Sequence, residues 1–195
     1  MIGNDIVDLE QASRESNWRR KGYIDKLFTR HEQQLIFGAP DPDRMVWLLW
    51  SMKESAYKLA VRQTKNRAFA PVKLECSVNV SAEAAAEGYV LYGESYQTKS
   101  LITSRYIATV AFAANTTPSY SQVIIPFDTA DYQRHSDLLR QKLRQHGSAL
   151  FQTSPHKICI DKDSLGIPVL AINNSATLPV SISHHGYYGA YVIGL

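Results

Sequence analysis

Cysteine is nearly absent from this chain: 195 residues carry two, Cys76 and Cys159, and neither lies in a CxxC or Cys/His spacing. A disulfide framework and a zinc site are therefore not expected, and a reducing interior suits the sequence. Long apolar runs are also missing. No stretch approaches the roughly 20 apolar residues that a bilayer-spanning helix needs. The opening Met1-Ile2-Gly3-Asn4-Asp5-Ile6-Val7-Asp8 puts two acids where a secretory leader would be basic and then apolar. No membrane span and no leader are expected, and the cytoplasm is the expected compartment. An excess of one charge sign is lacking too. The net charge of +3 argues against dedicated nucleic-acid binding, where clustered Lys and Arg supply the affinity, but leaves room for a small polyanion or an acidic partner. The basic groups Arg19-Arg20-Lys21 and Arg62, Lys65, Arg67 read first as solvated charge on a mixed surface.

What is present is an ordinary globular composition, 45% apolar and 20% charged, with length for one large or two small domains. Ile2 to Val7 reads as a short apolar strand interrupted by Asp5. Thr29 followed by Glu32 forms a capping box that opens a short helix ending before Gly38. After the Pro40-Asp41-Pro42-Asp43 turn, Arg44 to Arg62 runs without Gly or Pro. Its apolar Met45, Leu48, Leu49, Met52, Ala56, Leu59 and Ala60 fall at helical spacing. Val72 to Val80 then alternates with period two, as do Tyr89 to Tyr92 and, less strictly, Tyr106 to Phe112, which predicts three antiparallel strands. Asn115 to Tyr120 is the candidate boundary. Beyond it the pattern predicts a strand at Val123 to Pro126, a helix from Ala130 to Gln145 stopped by Gly147, and strands near Ile158, Val169, Val180 and Tyr191. The expected class is α+β, with residues 1–117 and 118–195 as two similar units, the second shorter.

Three segments carry chemistry. In Gly3-Asn4-Asp5-Ile6-Val7-Asp8 an acid interrupts an apolar strand; an Asx turn or cap explains Asp5 equally well. In Trp50-Ser51-Met52-Lys53-Glu54-Ser55-Ala56-Tyr57-Lys58, Glu54 and Lys58 are helix neighbours, and a surface i,i+4 ion pair is their ordinary reading. Against it stand the aromatic and small residues around the pair. One carboxylate from this helix and one from the Asp5 strand suffice for Mg²⁺, which binds through few protein acids plus phosphate oxygens and water. Near the end, Ser181-Ile182-Ser183-His184-His185-Gly186 reads as a strand tip and turn. There a hydroxyl and an imidazole reach a ligand, or are simply turn residues. A serine hydrolase is disfavoured, since no Gly-x-Ser-x-Gly elbow occurs.

In this order the three segments resemble the motifs of the 4'-phosphopantetheinyl transferase family. Its Gly-x-Asp strand is matched by Gly3-Asn4-Asp5, its Trp-Ser-x-Lys-Glu helix by Trp50 to Lys58, and its Ser-His segment by Ser181 to His184. Phe28 to Ile36 resembles the helix preceding the Lys-Glu motif, and Gly166-Ile167-Pro168 resembles the family's Gly-Lys-Pro turn. The resemblance implies a pseudo-dimer of two fused α+β units, here in swapped order, with one site between them and a monomer as the expected state. It implies transfer of the phosphopantetheine arm of coenzyme A to a serine of an acyl or peptidyl carrier protein, with release of 3',5'-ADP. Asp5 and Glu54 would hold Mg²⁺, Lys58 and Lys53 would face the phosphates, and Ser183 and His184 would bind the nucleotide. Glu54, or a water on the metal, would take the serine proton.

Two positions depart from the family. Val7 stands where fused members often have a second acid, with Asp8 as a candidate substitute. Ile167 replaces the lysine of Gly-Lys-Pro, leaving Lys162, Arg140 or Lys142 as candidate replacements. These departures give some weight to a non-catalytic module that binds coenzyme A or a carrier protein. A metal-dependent nuclease fits less well, since Glu54 and Lys58 are four apart on a helix rather than two apart on a strand.

Overall fold

The structure, a computed structural model, describes residues 1–82, 84–116, 119–129, 131–173 and 176–195. The boundary expected between 117 and 118 and the helix start expected at Ala130 lie outside the described residues. The first half runs β1 (Ile2–Asp8), α1 (Leu9–Glu15), α2 (Tyr23–Leu27), α3 (Arg30–Gly38), α4 (Pro42–Thr64), β2 (Glu75–Ala82), β3 (Ala85–Tyr92), β4 (Glu94–Ile102) and β5 (Tyr106–Ala113). The second runs β6 (Tyr120–Pro126), α5 (Tyr132–Leu150), β7 (Ile158–Lys162), β8 (Pro168–Ile172), β9 (Ala176–His185) and β10 (Tyr188–Gly194). Each half forms a five-stranded sheet, in order β1-β5-β4-β3-β2 and β6-β10-β9-β8-β7, with every pair antiparallel. The two paths are the same: a first strand, helix, then four strands of which the last returns beside the first. This is the α+β class with two similar units. No helix among the described residues is long and apolar enough to cross a membrane.

Local chemistry sets the helices. Thr29 and Glu32 exchange side-chain and backbone hydrogen bonds in a complete capping box at the start of α3. α4 begins at Asp41, whose carboxylate accepts from the Arg44 N–H at 3.0 Å, with Pro42 next. It ends at Lys65 in the left-handed region, φ 60°. Its apolar stripe, including Leu48, Leu49, Met52, Ala56 and Leu59, is fully buried across the first sheet. In the second half α5 covers its sheet with Leu139 and Leu143, against Ile158, Leu170 and Tyr191.

The halves meet through β1 and β5 on one side and β6, β9 and β10 on the other. Ile2, Val110, Phe112 and Val192 form one apolar cluster at this seam, and Ile6, Ala108 and Ala190 a second. With α4 behind and the other sheet in front, all seven residues of β1 are buried. Burial on both faces is why β1 reads as an apolar run, and the burial of β5 is why its alternation is less strict.

Several elements depart from the expectation. α1 and α2 occupy a stretch for which no element was expected, and β4 was not foreseen, because Thr98 and Ser100 occupy two of its inward positions and weaken the apolar alternation. The strand expected to open at Val72 begins at Glu75, after a 3₁₀ turn at Pro71–Lys73. Gly147 does not stop α5. It lies inside the helix, where a Cβ would stand at ordinary contact distance, 3.4 Å, from Ile158.

Gly3 sets the distance between β1 and α4: a Cβ there would fall 2.2 Å from the Ser55 carbonyl oxygen and 3.1 Å from the Leu59 nitrogen, both helix backbone. Strand and helix touch backbone to backbone, which only glycine permits. Gly3→Ala is expected to force the two apart and cost about 3 kcal/mol, measured as a lowered urea midpoint.

Candidate active site

The alternation of β1 sorts its side chains between two jobs. Ile2, Asn4, Ile6 and Asp8 face the second sheet, while Gly3, Asp5 and Val7 face the first-half helices. Asp5 meets Lys58 of α4, whose Nζ donates to Asp5 Oδ1 at 3.1 Å and to the Asn4 carbonyl at 2.8 Å. Glu54, one turn earlier, lines the same cleft of about 220 Å³ as Asp5. The Glu54–Lys58 ion pair that spacing suggests is not formed. Lys58 gives its charge to Asp5, and among the described residues Glu54 has no ion-pair partner. Burial first, then repulsion from Asp5, pushes the Glu54 carboxyl from the ordinary 4.5 to about 7, against the pull of Lys58.

β9 brings the other wall. Its first residues pair with β8 and its last with β10, so the tip at Ser183–His185 is free to lie against β1. Ser181 Oγ accepts from the Asn4 N–H at 3.0 Å and Ser183 Oγ from Asn4 Nδ2 at 2.9 Å. His185 Nδ1 accepts from the Asp8 N–H at 3.0 Å. His184, of opposite parity, turns toward α5: its ring centroid lies 4.4 Å from Tyr132 and 5.8 Å from His135. It also lines the cleft with Asp5 and Glu54. Burial, then His135, Lys58 and His185, hold its pKa below the ordinary histidine value, which favours a neutral ring.

Lys58 borders a second cleft, of about 310 Å³, whose lining includes Arg62, Arg67, Ile167 and Pro168. Arg62 was not foreseen as a site residue. A signal was available, since Glu54, Lys58 and Arg62 stand at i, i+4 and i+8 on one helix face. Arg67 follows the helix in a loop, and spacing gives no hint of it.

Three expectations are corrected. Lys53, expected to bind cofactor, is fully buried on the opposite side of α4. Its three protons go to Glu32 Oε2 at 2.7 Å, the Pro71 carbonyl at 2.8 Å and the Leu27 carbonyl at 2.9 Å, so none remains for a ligand. Asp8 does not substitute for an acid at Val7. It faces the second sheet, where Oδ1 caps α1 through Glu10 and Gln11 and Oδ2 accepts from the Tyr187 N–H at 2.8 Å. Lys162, Arg140 and Lys142 line neither cleft; Arg62 and Arg67 flank Ile167 instead.

The family model of the 4'-phosphopantetheinyl transferase superfamily matches residues 1–111. The chain belongs to this superfamily. No curated protein matches it. The match to the transferase superfamily holds Asp5, Glu54 and Lys58 and ends before Ser183 and His184, of which His184 reaches the cleft through the fold.

Among the described residues, no group of three or more His, Cys, Asp or Glu side chains is placed to hold a metal. Mg²⁺ does not require one, because it keeps waters and takes substrate phosphates beside one or two carboxylates. The half-buried, unpaired Glu54 beside Asp5 fits that demand.

Two outcomes follow. Lys53→Met leaves Glu32 buried without its cation and is expected to lower stability by about 3–5 kcal/mol, read by chemical unfolding. For Glu54, the folded pKa of about 7 lies above the ordinary 4.5, so the native state holds the extra proton and stability falls as pH rises through that window. Glu54→Gln is therefore expected to change stability little near pH 4 and to raise it by up to roughly 3 kcal/mol at pH 8, measured by urea titration at both pH values.

Proposed function

We propose that the chain transfers the 4'-phosphopantetheine group of coenzyme A to a serine of an acyl or peptidyl carrier protein, in a Mg²⁺-dependent reaction that releases 3',5'-ADP. The supporting observation is the unpaired Glu54 carboxyl beside Asp5, with the Lys58 ammonium paired to Asp5. Asp5 and Glu54 would hold Mg²⁺, which when bound supplies the charge that gathers the diphosphate. Lys58, anchored on the Asn4 carbonyl, presents its ammonium to the same diphosphate and offsets charge on the leaving group. His184, neutral near pH 7, offers a hydrogen bond without competing for the metal's place. Ser183 acts from behind by its bond to Asn4, holding the strand tip that presents His184.

The bond formed joins the carrier serine oxygen to the β-phosphorus of coenzyme A, and the bond broken is that between this phosphorus and the oxygen bridging to the α-phosphate. The serine proton leaves to the Glu54 side of the cleft, and 3',5'-ADP departs with the bridging oxygen's electrons. The chain supplies both halves of the interface itself, which suits a monomer in the cytoplasm. Its two cysteines are free thiols.

Incubation with coenzyme A, Mg²⁺ and an apo carrier protein is expected to add the phosphopantetheine mass to the carrier. Glu54→Ala should lower the rate by roughly 10²–10³-fold with an unchanged circular dichroism spectrum. No mass gain across several carriers would overturn the reading, and tight coenzyme A binding indifferent to Mg²⁺ would point to a binding module.

A further inference from the structure

The two halves differ in how the outer edge of each sheet is treated. In the first half α3 lies against α4 and the edge strand β2. Its Glu32, fully buried, bridges them: Oε1 accepts from the Cys76 N–H of β2 at 2.7 Å and Oε2 from Lys53 Nζ of α4 at 2.7 Å. One carboxylate thus answers an edge N–H and a cation of the long helix together. In the second half β6 ends at Pro126 and α5 opens at Tyr132, so among the described residues no helix takes the place of α3. Between α5 and the edge strand β7 there is instead an open groove of about 530 Å³, whose lining includes Gln141, Arg144 and Gln145 of the helix and Ile158 and Ile160 of the strand.

The groove repeats both partners of that carboxylate. The Asn173 N–H donates to the Lys157 carbonyl and the Asp163 N–H to the Ile167 carbonyl, each at 2.9 Å. Bonds between β7 and β8 therefore fall on the odd-numbered residues of β7, and Ile160 turns its N–H and C=O outward, as Cys76 does on β2. Ile158 and Ile160 face α5 within the second core, so Cys159 and Asp161 project to the other face. Arg144 is exposed and, like the Ile160 N–H, has no partner among the described residues. An added strand would meet the edge N–H but leave Arg144 unanswered. A free anion would meet the charge but not the apolar walls. A helix with a carboxylate on its apolar side answers all of these, and α3 shows the arrangement. The nine residues of α3 span about 14 Å and the five of β7 about 17 Å, so a helix of about three turns fits along the strand. The amides of Gln141 and Gln145 make the helix wall polar, which suits a partner that also exists apart from this chain.

We propose that the groove between α5 and β7 docks an acidic amphipathic helix of a partner protein, its carboxylate bridging the Ile160 N–H and the Arg144 guanidinium. The proposal goes beyond the transfer chemistry and does not depend on it. Fluorescein-labelled peptides of residues 28–39 serve as probes, because Phe28, Glu32 and Ile36 form the buried side of α3. Anisotropy with the full chain is expected to show saturable binding at or below about 1 mM, and roughly tenfold weaker binding of the Glu32→Gln peptide. In the chain, Arg144→Ala should weaken the parent peptide by roughly tenfold and the Glu32→Gln peptide by less than about threefold, the mark of a direct pairing. Amide exchange at Ile160 should slow when the parent peptide is present. No binding, no difference between the peptides, equal loss for both on Arg144→Ala, or protection at Cys76 in place of Ile160 overturns the proposal. So does self-association of the chain that protects Ile160 without peptide, which would make a second copy's strand the occupant.

Discussion

Everything in this molecule depends on β1 being held between two partners at once. α4 presses on one face, close enough that a helix carbonyl occupies the space of a missing Cβ at Gly3. The second sheet presses on the other. An edge strand in such a place has outward N–H groups that water cannot reach, and leaving them unmet costs as much as a lost hydrogen bond. β9 meets them with side chains rather than with a backbone ladder: Ser181 takes the Asn4 N–H and His185 takes the Asp8 N–H. The seam is thus polar and directional along its edge and apolar beside it, through Ile2, Ile6, Ala190 and Val192. Directional bonds fix register, which area burial alone does not.

That register has electrostatic consequences. It sets Asp5 toward α4 and the tip of β9 toward the same opening, so acids from one half and an imidazole from the other share one cleft. The ions there are deliberately unequal in their pairing. Lys58 is satisfied by Asp5 and the Asn4 carbonyl, whereas Glu54 has repulsion from Asp5 and desolvation to bear. A carboxyl held in this way keeps its charged form at a cost that the fold does not relieve.

Much of this was legible in the sequence, and the limits have physical causes. The capping box at Thr29, the stripe of α4 and the repeating α+β plan are local or periodic, and they appear where expected. Asp5, Glu54 and His184 stood out by residue type and spacing, and the fold brings them to one cleft. Lys53 was misjudged because adjacency in sequence to Glu54 was taken for adjacency in space. β4 was missed because Thr98 and Ser100 take inward places that apolar residues usually fill. Arg67 was unreadable since its place depends on a Tyr57 hydroxyl ten residues away and on a turn about a hundred residues on.

The buried ion pair of Lys53 has a meaning for its neighbour. Successive residues on a helix point about 100° apart, so Lys53 sends its ammonium into the core between Glu32, Leu27 and Pro71 while Glu54 turns outward to the cleft. Any roll of α4 about its axis would drag a fully coordinated ammonium out of its cage. The inward lysine therefore acts as a keyway, and the angular setting of the outward glutamate is fixed by a bond on the hidden side of the same helix.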